Sequence, residues 1–126
     1  MHKSKLAGFI IDCQTGELDR AASFWGSALG MPVVELPADE AATYKRLEDS
    51  AHGLNIEVQR VSHPSRVHLD IETDDIEAEV RRLEGLGARR LQAIRTWWVL
   101  EAPTGQRFCV VRAASKLFAE QATVWP

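Results

Sequence analysis

The order of strands and helices, which occurs twice along the chain, is the feature that most constrains the fold. An apolar, β-branched run at residues 6–13 predicts a strand, and it is followed by a polar turn. From Leu18 to Leu29 the apolar residues fall at helical spacing, and Gly30 is a helix stop. Three short strands are predicted next, at residues 33–36, 43–47 and 54–61, with a turn at His52-Gly53 before the last of them.

The same order begins again at residue 66. Residues 66–73 alternate apolar and polar side chains, which is typical of a strand with two different faces. Asp74 or Asp75 is placed to cap the helix that follows, and Gly87 to end it. Three further strands are predicted at residues 89–94, 97–101 and 107–112.

A fold class follows from this repeat. We expect an α+β protein made of two β-α-β-β-β modules, at about residues 5–62 and 65–113, within one domain spanning residues 1–126. Residues 114–126 contain four large apolar side chains, so this tail is predicted to be a short helix or a strap on the body of the protein.

Composition excludes several classes of function. The net charge is −3 and no run of basic residues stands out, which gives no support for a nucleic-acid partner. No apolar stretch reaches the length of a membrane span, and the first apolar run breaks at Asp12, unlike a signal peptide. With no export signal, Cys13 and Cys109 are interpreted as reduced thiols of a cytoplasmic protein.

Three segments resemble a known superfamily. They are FWGSALG at 24–30, RVHLDIETDD at 66–75 and WWVLEAPTGQRFCVV at 97–111. Together they look like the glyoxalase / bleomycin-resistance / extradiol-dioxygenase (vicinal oxygen chelate) superfamily, in its glyoxalase-like branch. The resemblance implies two cupped mixed sheets around a shared cavity, often completed by a second subunit.

The resemblance also implies a place for a metal. In the metalloenzymes of the superfamily, four positions bind one divalent ion, and in this sequence they fall on Gly8, Glu57, His68 and Cys109. His68 and Glu57 match the usual residue types. Gly8 replaces a histidine and Cys109 replaces a glutamate, so the expected metal ligands reduce to His68, Glu57 and Cys109.

Strand alternation gives a second, independent list of candidate site residues. If helices cover the apolar faces of the strands, the opposite faces line a cup. Because Trp97 and Trp98 are adjacent, one of them is expected in the cup, where it could stack on a flat or apolar ligand. The polar residues predicted to line the cup are Asn55, Glu57, Gln59, His68, Asp70 and Cys109.

Two kinds of chemistry are open to these residues. Oxygen, nitrogen and sulfur from Glu57, His68 and Cys109 could hold zinc with one open position. Without a metal, His68 could act as a general base assisted by Glu57 or Asp70. Each residue also has a purely structural interpretation, as a hydrogen-bonded strand histidine, a paired carboxylate or a buried small hydrophobe.

Three functions are consistent with these residues. The first is a small-molecule binding protein of the bleomycin-resistance kind, which works without a metal and is favoured by the missing ligand at Gly8. The second is a divalent-metal-dependent lyase, isomerase or dioxygenase that acts on vicinal oxygens. The third is a noncatalytic association domain. The expected partners are a small-molecule ligand and a second copy of the chain, with neither nucleic acid nor a membrane involved.

Overall fold

The computed structural model describes residues 1–49 and 53–126. His52 of the predicted turn at His52-Gly53 therefore lies outside the described residues. Two compact units are present. We call residues 9–67 the N-terminal unit, and residues 1–8 together with 68–126 the C-terminal unit. The secondary structure is mixed α+β, which confirms the predicted fold class.

The first part of the chain has the predicted order of elements with one addition. Antiparallel pairing joins β2 to β3 and β3 to β4. The elements are β1 (His2–Gln14), α1 (Leu18–Leu29), β2 (Val33–Val34), α2 (Ala38–Ala41), β3 (Tyr44–Leu47) and β4 (Asn55–Val61).

The second part repeats the pattern and then adds a structured tail. In the C-terminal unit β5 pairs in parallel with β8, while β7 lies antiparallel between β8 and β6. The elements are β5 (Arg66–Thr73), α3 (Ile76–Gly85), β6 (Arg89–Ile94), β7 (Trp97–Glu101), β8 (Arg107–Arg112), α4 (Phe118–Gln121) and β9 (Thr123–Trp125).

Helix α1 buries its apolar stripe in the core of the N-terminal unit. Leu18 and Ala22 pack with Leu47, Ile56 and Val58, and each of these five side chains is at least nine-tenths buried. The alternate residues of β4 point away from this core, as the sequence pattern predicts. Gly30 ends the helix in the left-handed conformation, where a residue without Cβ is favoured.

Helix α3 has the equivalent role in the C-terminal unit. Asp75 caps its first turn by accepting a hydrogen bond from the backbone N–H of Ala78 at 3.0 Å, which confirms one of the two predicted caps. Val80 on the buried face of the helix packs against Leu100 of β7 and Val110 of β8, and all three side chains are fully buried. This packing gives the sheet of the unit one covered face.

Two strand boundaries differ clearly from the sequence prediction, and one short helix was not predicted. Strand β1 begins at His2 and not at residue 6, because its first residues pair with β9 near the other end of the chain. Strand β2 ends at Val34, two residues earlier than predicted, and Pro37 then precedes the unpredicted helix α2. Pro37 cannot donate a hydrogen bond to a sheet, which is consistent with the early end of pairing before it.

The tail is a short helix followed by a strand, in agreement with the expectation of an ordered segment. Strand β9 pairs antiparallel with β1, with Trp125 opposite His2 and Thr123 opposite Ser4. The indole Nε1 of Trp125 donates a hydrogen bond to Ser4 Oγ at 2.8 Å. The two ends of the chain are thus joined within one unit.

Part of β5 departs from the simple two-faced pattern. Val67 and Leu69 are 59% and 43% exposed, although they alternate in phase with Ile71, which packs against the α3 core. Helix α3 therefore covers only the second half of the apolar face of this strand. Among the described helices, none has the length and apolar character needed to cross a bilayer.

Candidate functional site

A group of three potential metal ligands lies in the C-terminal unit. One ligand atom each from His68, Asp70 and Cys109 can be chosen so that all three lie within 4.8 Å of one another. All three residues are partly buried, and the side chains of His68 and Asp70 are 14% exposed. The sequence predicted His68 and Cys109 as ligands, while Asp70 was expected in the ligand pocket and as an assistant of His68.

Strand geometry explains why these three residues meet. His68 and Asp70 are two positions apart on β5, so their side chains leave the same face of the sheet. The parallel pairing of β5 with β8 then places Cys109 directly beside Asp70. We call this side of β5, β6, β7 and β8 the open face, because α3 packs against the opposite side.

The spacing of the His68 and Asp70 donors suits a tetrahedral ion. His68 Nε2 lies 3.6 Å from Asp70 Oδ1. Two ligands at about 2.0–2.2 Å from a zinc ion, at the tetrahedral angle, are about 3.3–3.6 Å apart. The group supplies one nitrogen, one oxygen and one sulfur donor, a set that zinc accepts. The residues present therefore fit a divalent metal of this kind.

The two tryptophans of β7 lie on opposite faces, as alternation predicts. Trp98 packs in the core under α3, and the guanidinium of Arg90 lies 5.1 Å from the centre of its ring. Trp97 consequently belongs to the open face, together with Val99, which is paired with Cys109. Of the two tryptophans that the sequence proposed for the pocket, Trp97 is the one on the face of the three-residue group.

Glu57 belongs to the N-terminal unit, on the face of β4 that points away from the α1 core. Its carboxylate accepts a hydrogen bond from Asn55 Nδ2 at 2.9 Å. Burial raises the pKa of Glu57, and this effect outweighs the lowering by Asn55. On the same face, Gln59 Nε2 donates to the Tyr44 hydroxyl at 3.1 Å. The predicted alternation of Asn55, Glu57 and Gln59 is confirmed, and their role in binding stays a prediction.

Sequence reasoning overlooked Asp70 as a potential metal ligand, although the signal was present. A carboxylate two residues after a histidine in the same strand lies on the same face as that histidine, whichever register the neighbouring strands adopt. The transfer of ligand positions from the superfamily pointed to Glu57, and its role as a metal ligand stays a prediction. Gly8 offers no side-chain ligand, as the sequence states.

The family assignment rests on a match that spans most of the chain. A model of the glyoxalase-like domain matches residues 8–111. The chain belongs to the glyoxalase-like domain family. The predicted place in the vicinal oxygen chelate superfamily is thereby confirmed. No curated protein sequence matches the chain.

Solved structures agree with the glyoxalase-like fold. Methylmalonyl-CoA epimerase from Mycobacterium tuberculosis is similar with a TM-score of 0.65 at 20% identity, over 90% of this chain and 91% of that one. A hypothetical protein from Bacillus halodurans gives 0.64 at 14% identity, over 88% and 95%. A variant of Streptomyces coelicolor methylmalonyl-CoA epimerase, in complex with 2-nitronate-propionyl-CoA, gives 0.56 at 16% identity, over 86% and 98%. At these identities the likeness shows the fold alone.

Proposed function

We propose that this glyoxalase-like protein binds a small, oxygen-bearing molecule at a divalent-metal centre held by His68, Asp70 and Cys109. The observation that carries the proposal is the approach of three donor atoms of different types to within 4.8 Å of one another. Three protein ligands and one open position are the usual composition of a zinc site that accepts a substrate.

The donor set favours zinc over the harder divalent ions. A thiolate from Cys109 is a soft ligand, whereas magnesium, calcium and manganese prefer sites made of oxygen atoms alone. Imidazole nitrogen and carboxylate oxygen from the other two residues are both compatible with zinc. Cys109 must lose its proton to act as a ligand, so binding of the ion is expected to release a proton from the protein.

The protein residues have definable roles in this proposal. His68 and Asp70 present their donors from one strand, and the pairing of β5 with β8 fixes Cys109 beside them. These three residues would hold the ion, and a substrate oxygen would occupy its remaining position. When bound, zinc would act as a Lewis acid toward an oxygen of the substrate.

Within the reaction classes open to the superfamily, these ligands favour a lyase or an isomerase. Zinc has no redox chemistry of its own, so a dioxygenase reaction would require a different ion. A metal-dependent lyase or isomerase needs only polarisation of an oxygen atom and a group that moves a proton. The substrate itself is not assigned.

Metal analysis tests the proposal directly. Protein purified without a metal-affinity step should contain about one zinc per chain, and the variants H68A, D70A and C109S should each lose it. C13S is the matched control for C109S, because Cys13 is the other partly buried cysteine, and its replacement is expected to leave the metal content unchanged. Cobalt substitution gives a second measurement, since thiolate-to-cobalt charge-transfer absorption should be present in C13S and absent in C109S. Equal metal content in H68A and the unaltered protein would contradict the proposal.

A metal-free ligand-binding protein is the second candidate. It is supported by Gly8, which removes one of the four ligands that the superfamily's metalloenzymes use. In that case neither the unaltered protein nor any variant would bind metal. H68A would still weaken binding of the small-molecule ligand, which is measured as a smaller stabilisation of the protein against heat by that ligand.

The family also favours a homodimer. Light scattering would detect it as twice the chain mass of 14.1 kDa.

A further inference from the structure

The open face of the C-terminal unit has one charged end and one end that carries Trp97, with the three-residue group between them. We call the second end the apolar end, although the buried carboxylate of Glu72 on β5 also lies there, beside Val111. The pairing of β6, β7 and β8 sets the order of side chains across this face. Arg89, Glu101 and Arg107 are paired across the three strands at one end. Because Leu69 pairs with Phe108, the preceding residues His68 and Arg107 are also neighbours.

Arg107 is an exposed cation beside the group. Glu101, its partner across the strands, pairs with Arg89, whose Nη2 donates a hydrogen bond to Glu101 Oε1 at 2.7 Å. Among the described residues, Arg107 has no ion pair. A guanidinium without an ion pair presents its N–H donors in a forked arrangement that matches the oxygen atoms of a carboxylate or a phosphate. The charged end of the open face therefore offers an anion one unpaired arginine.

The apolar end is formed by residues further along the same strands. Val99 pairs with Cys109, so it adjoins the three-residue group. Trp97 lies two positions before Val99 on the same face, and its ring is only partly buried. Trp97 lies four positions before Glu101, the partner of Arg107, which corresponds to about 13 Å along a strand. An extended molecule of roughly 10 Å could contact both ends, since the arginine side chain covers part of this distance.

We infer that the ligand of the proposed site is an organic anion with a flat or apolar body, whose acidic group binds Arg107 while its body packs on Trp97. This inference rests on the proposed function for the location of the site, and adds the charge and shape of the ligand. Arg107 acts in it as a specificity-determining residue. The three-residue group then lies next to the acidic end of the ligand, beside His68.

The test compares a charged probe with its neutral counterpart. We use 3-phenylpropionate and 3-phenylpropionamide, which have the same aromatic body and differ in the charge of the head group. Each is titrated into the unaltered protein and into R107Q, R107K and R112Q, with binding followed by two-dimensional NMR. R112Q is the matched control, because Arg112 is an exposed arginine of the same strand that alternates onto the opposite face.

The expected result is a charge preference that depends on Arg107 alone. The unaltered protein and R112Q should bind the carboxylate about three- to tenfold more tightly than the amide, as expected for one exposed charge-assisted contact. R107Q should remove the preference and R107K should retain part of it. The variant W97L should weaken both probes equally. Near-UV circular dichroism checks that each variant is folded.

Repeating the titrations on metal-depleted protein separates this inference from the proposed metal centre. If metal-depleted protein prefers the carboxylate probe to the amide, and R107Q removes that preference, the inference is supported even where metal analysis finds no zinc. Loss of zinc in H68A, together with equal binding of the two probes by the unaltered protein, supports the metal centre and overturns the inference. The inference is also overturned if neither probe binds the unaltered protein, or if R112Q loses the preference for the carboxylate as fully as R107Q does.

Discussion

His2 Nε2 lies 2.7 Å from Glu79 Oε1, although 77 residues separate the two along the chain. His2 is 7% exposed and Glu79 is fully buried. Arg82 donates two further hydrogen bonds to the same carboxylate, each at 2.8 Å, and its guanidinium lies 3.8 Å from the ring centre of Trp125. Both ends of the chain are therefore connected to α3 through one carboxylate.

Removal of this carboxylate should destabilise the protein strongly. E79A leaves the side chains of His2 and Arg82 without their shared partner, and breaking a buried pair in this way costs about 3–5 kcal/mol. The measurement is urea denaturation at pH 7. E120A is the control, because Glu120 is exposed in the tail, and surface changes of this kind stay within about 0.5 kcal/mol.

The effect of E79A should also depend on pH. Burial by itself raises the pKa of Glu79, but hydrogen bonds from Arg82, His2 and Ser4 outweigh it and hold the pKa below the usual value. The ionised carboxylate therefore stabilises the fold above the unfolded-state pKa of about 4.3, and the contribution falls as the pH drops through the folded-state value. The difference between E79A and the unaltered protein should narrow in strong acid. A difference that grows on acidification would contradict this assignment.

Glu57 should show the opposite sign. Because burial raises its pKa in the folded state, its neutral form fits the fold better, and stability falls as the pH rises from the unfolded-state pKa through the folded-state one. E57Q replaces the carboxylate with a neutral group of the same shape. We expect E57Q to be more stable than the unaltered protein at pH 7 and equal to it below about pH 4, by thermal denaturation. Lower stability of E57Q at pH 7 would show that the charge is needed.

Two leucines of the C-terminal unit should respond differently to truncation. Leu100 is fully buried and packs with Val80 and Val110, so L100A removes contacts and leaves a cavity at a cost of about 2–5 kcal/mol. Leu86 is 67% exposed, and L86A should change the free energy of unfolding by less than about 0.5 kcal/mol. Chemical denaturation of both variants gives the comparison. Similar losses would mean that Leu86 is covered in solution.

Two helical glycines form a matched pair. A Cβ on Gly26 of α1 would lie 2.8 Å from the carbonyl oxygen of Met31 and 3.2 Å from a methyl group of Val33, so G26A should destabilise by about 1–3 kcal/mol. Gly85, the last residue of α3, has no such neighbour within 4 Å. G85A should stabilise by up to about 1 kcal/mol, because alanine loses less backbone entropy than glycine in a helix. Equal effects in thermal denaturation would contradict the predicted contact at Gly26.

Local patterns predicted much of the candidate site. The face shared by His68 and Asp70 follows from strand alternation, and the placement of Trp97 and Trp98 on opposite faces follows from their adjacency. These patterns do not predict which residue of the adjacent strand lies beside Asp70. Asp70 meets Cys109 because β5 and β8 pair in parallel with one register, although the two residues are far apart in the chain.

The amino-acid sequence by itself determined the order of elements, the ends of α1 and the faces of the strands, because hydrophobic period, caps and glycine stops act over a few residues. Only the tertiary structure decided the extension of β1 to His2, the burial of Glu79 and the pairing that brings Cys109 beside Asp70. Each of these depends on pairing or packing between distant segments, and the free energy of such contacts is set by the register and burial of the folded chain.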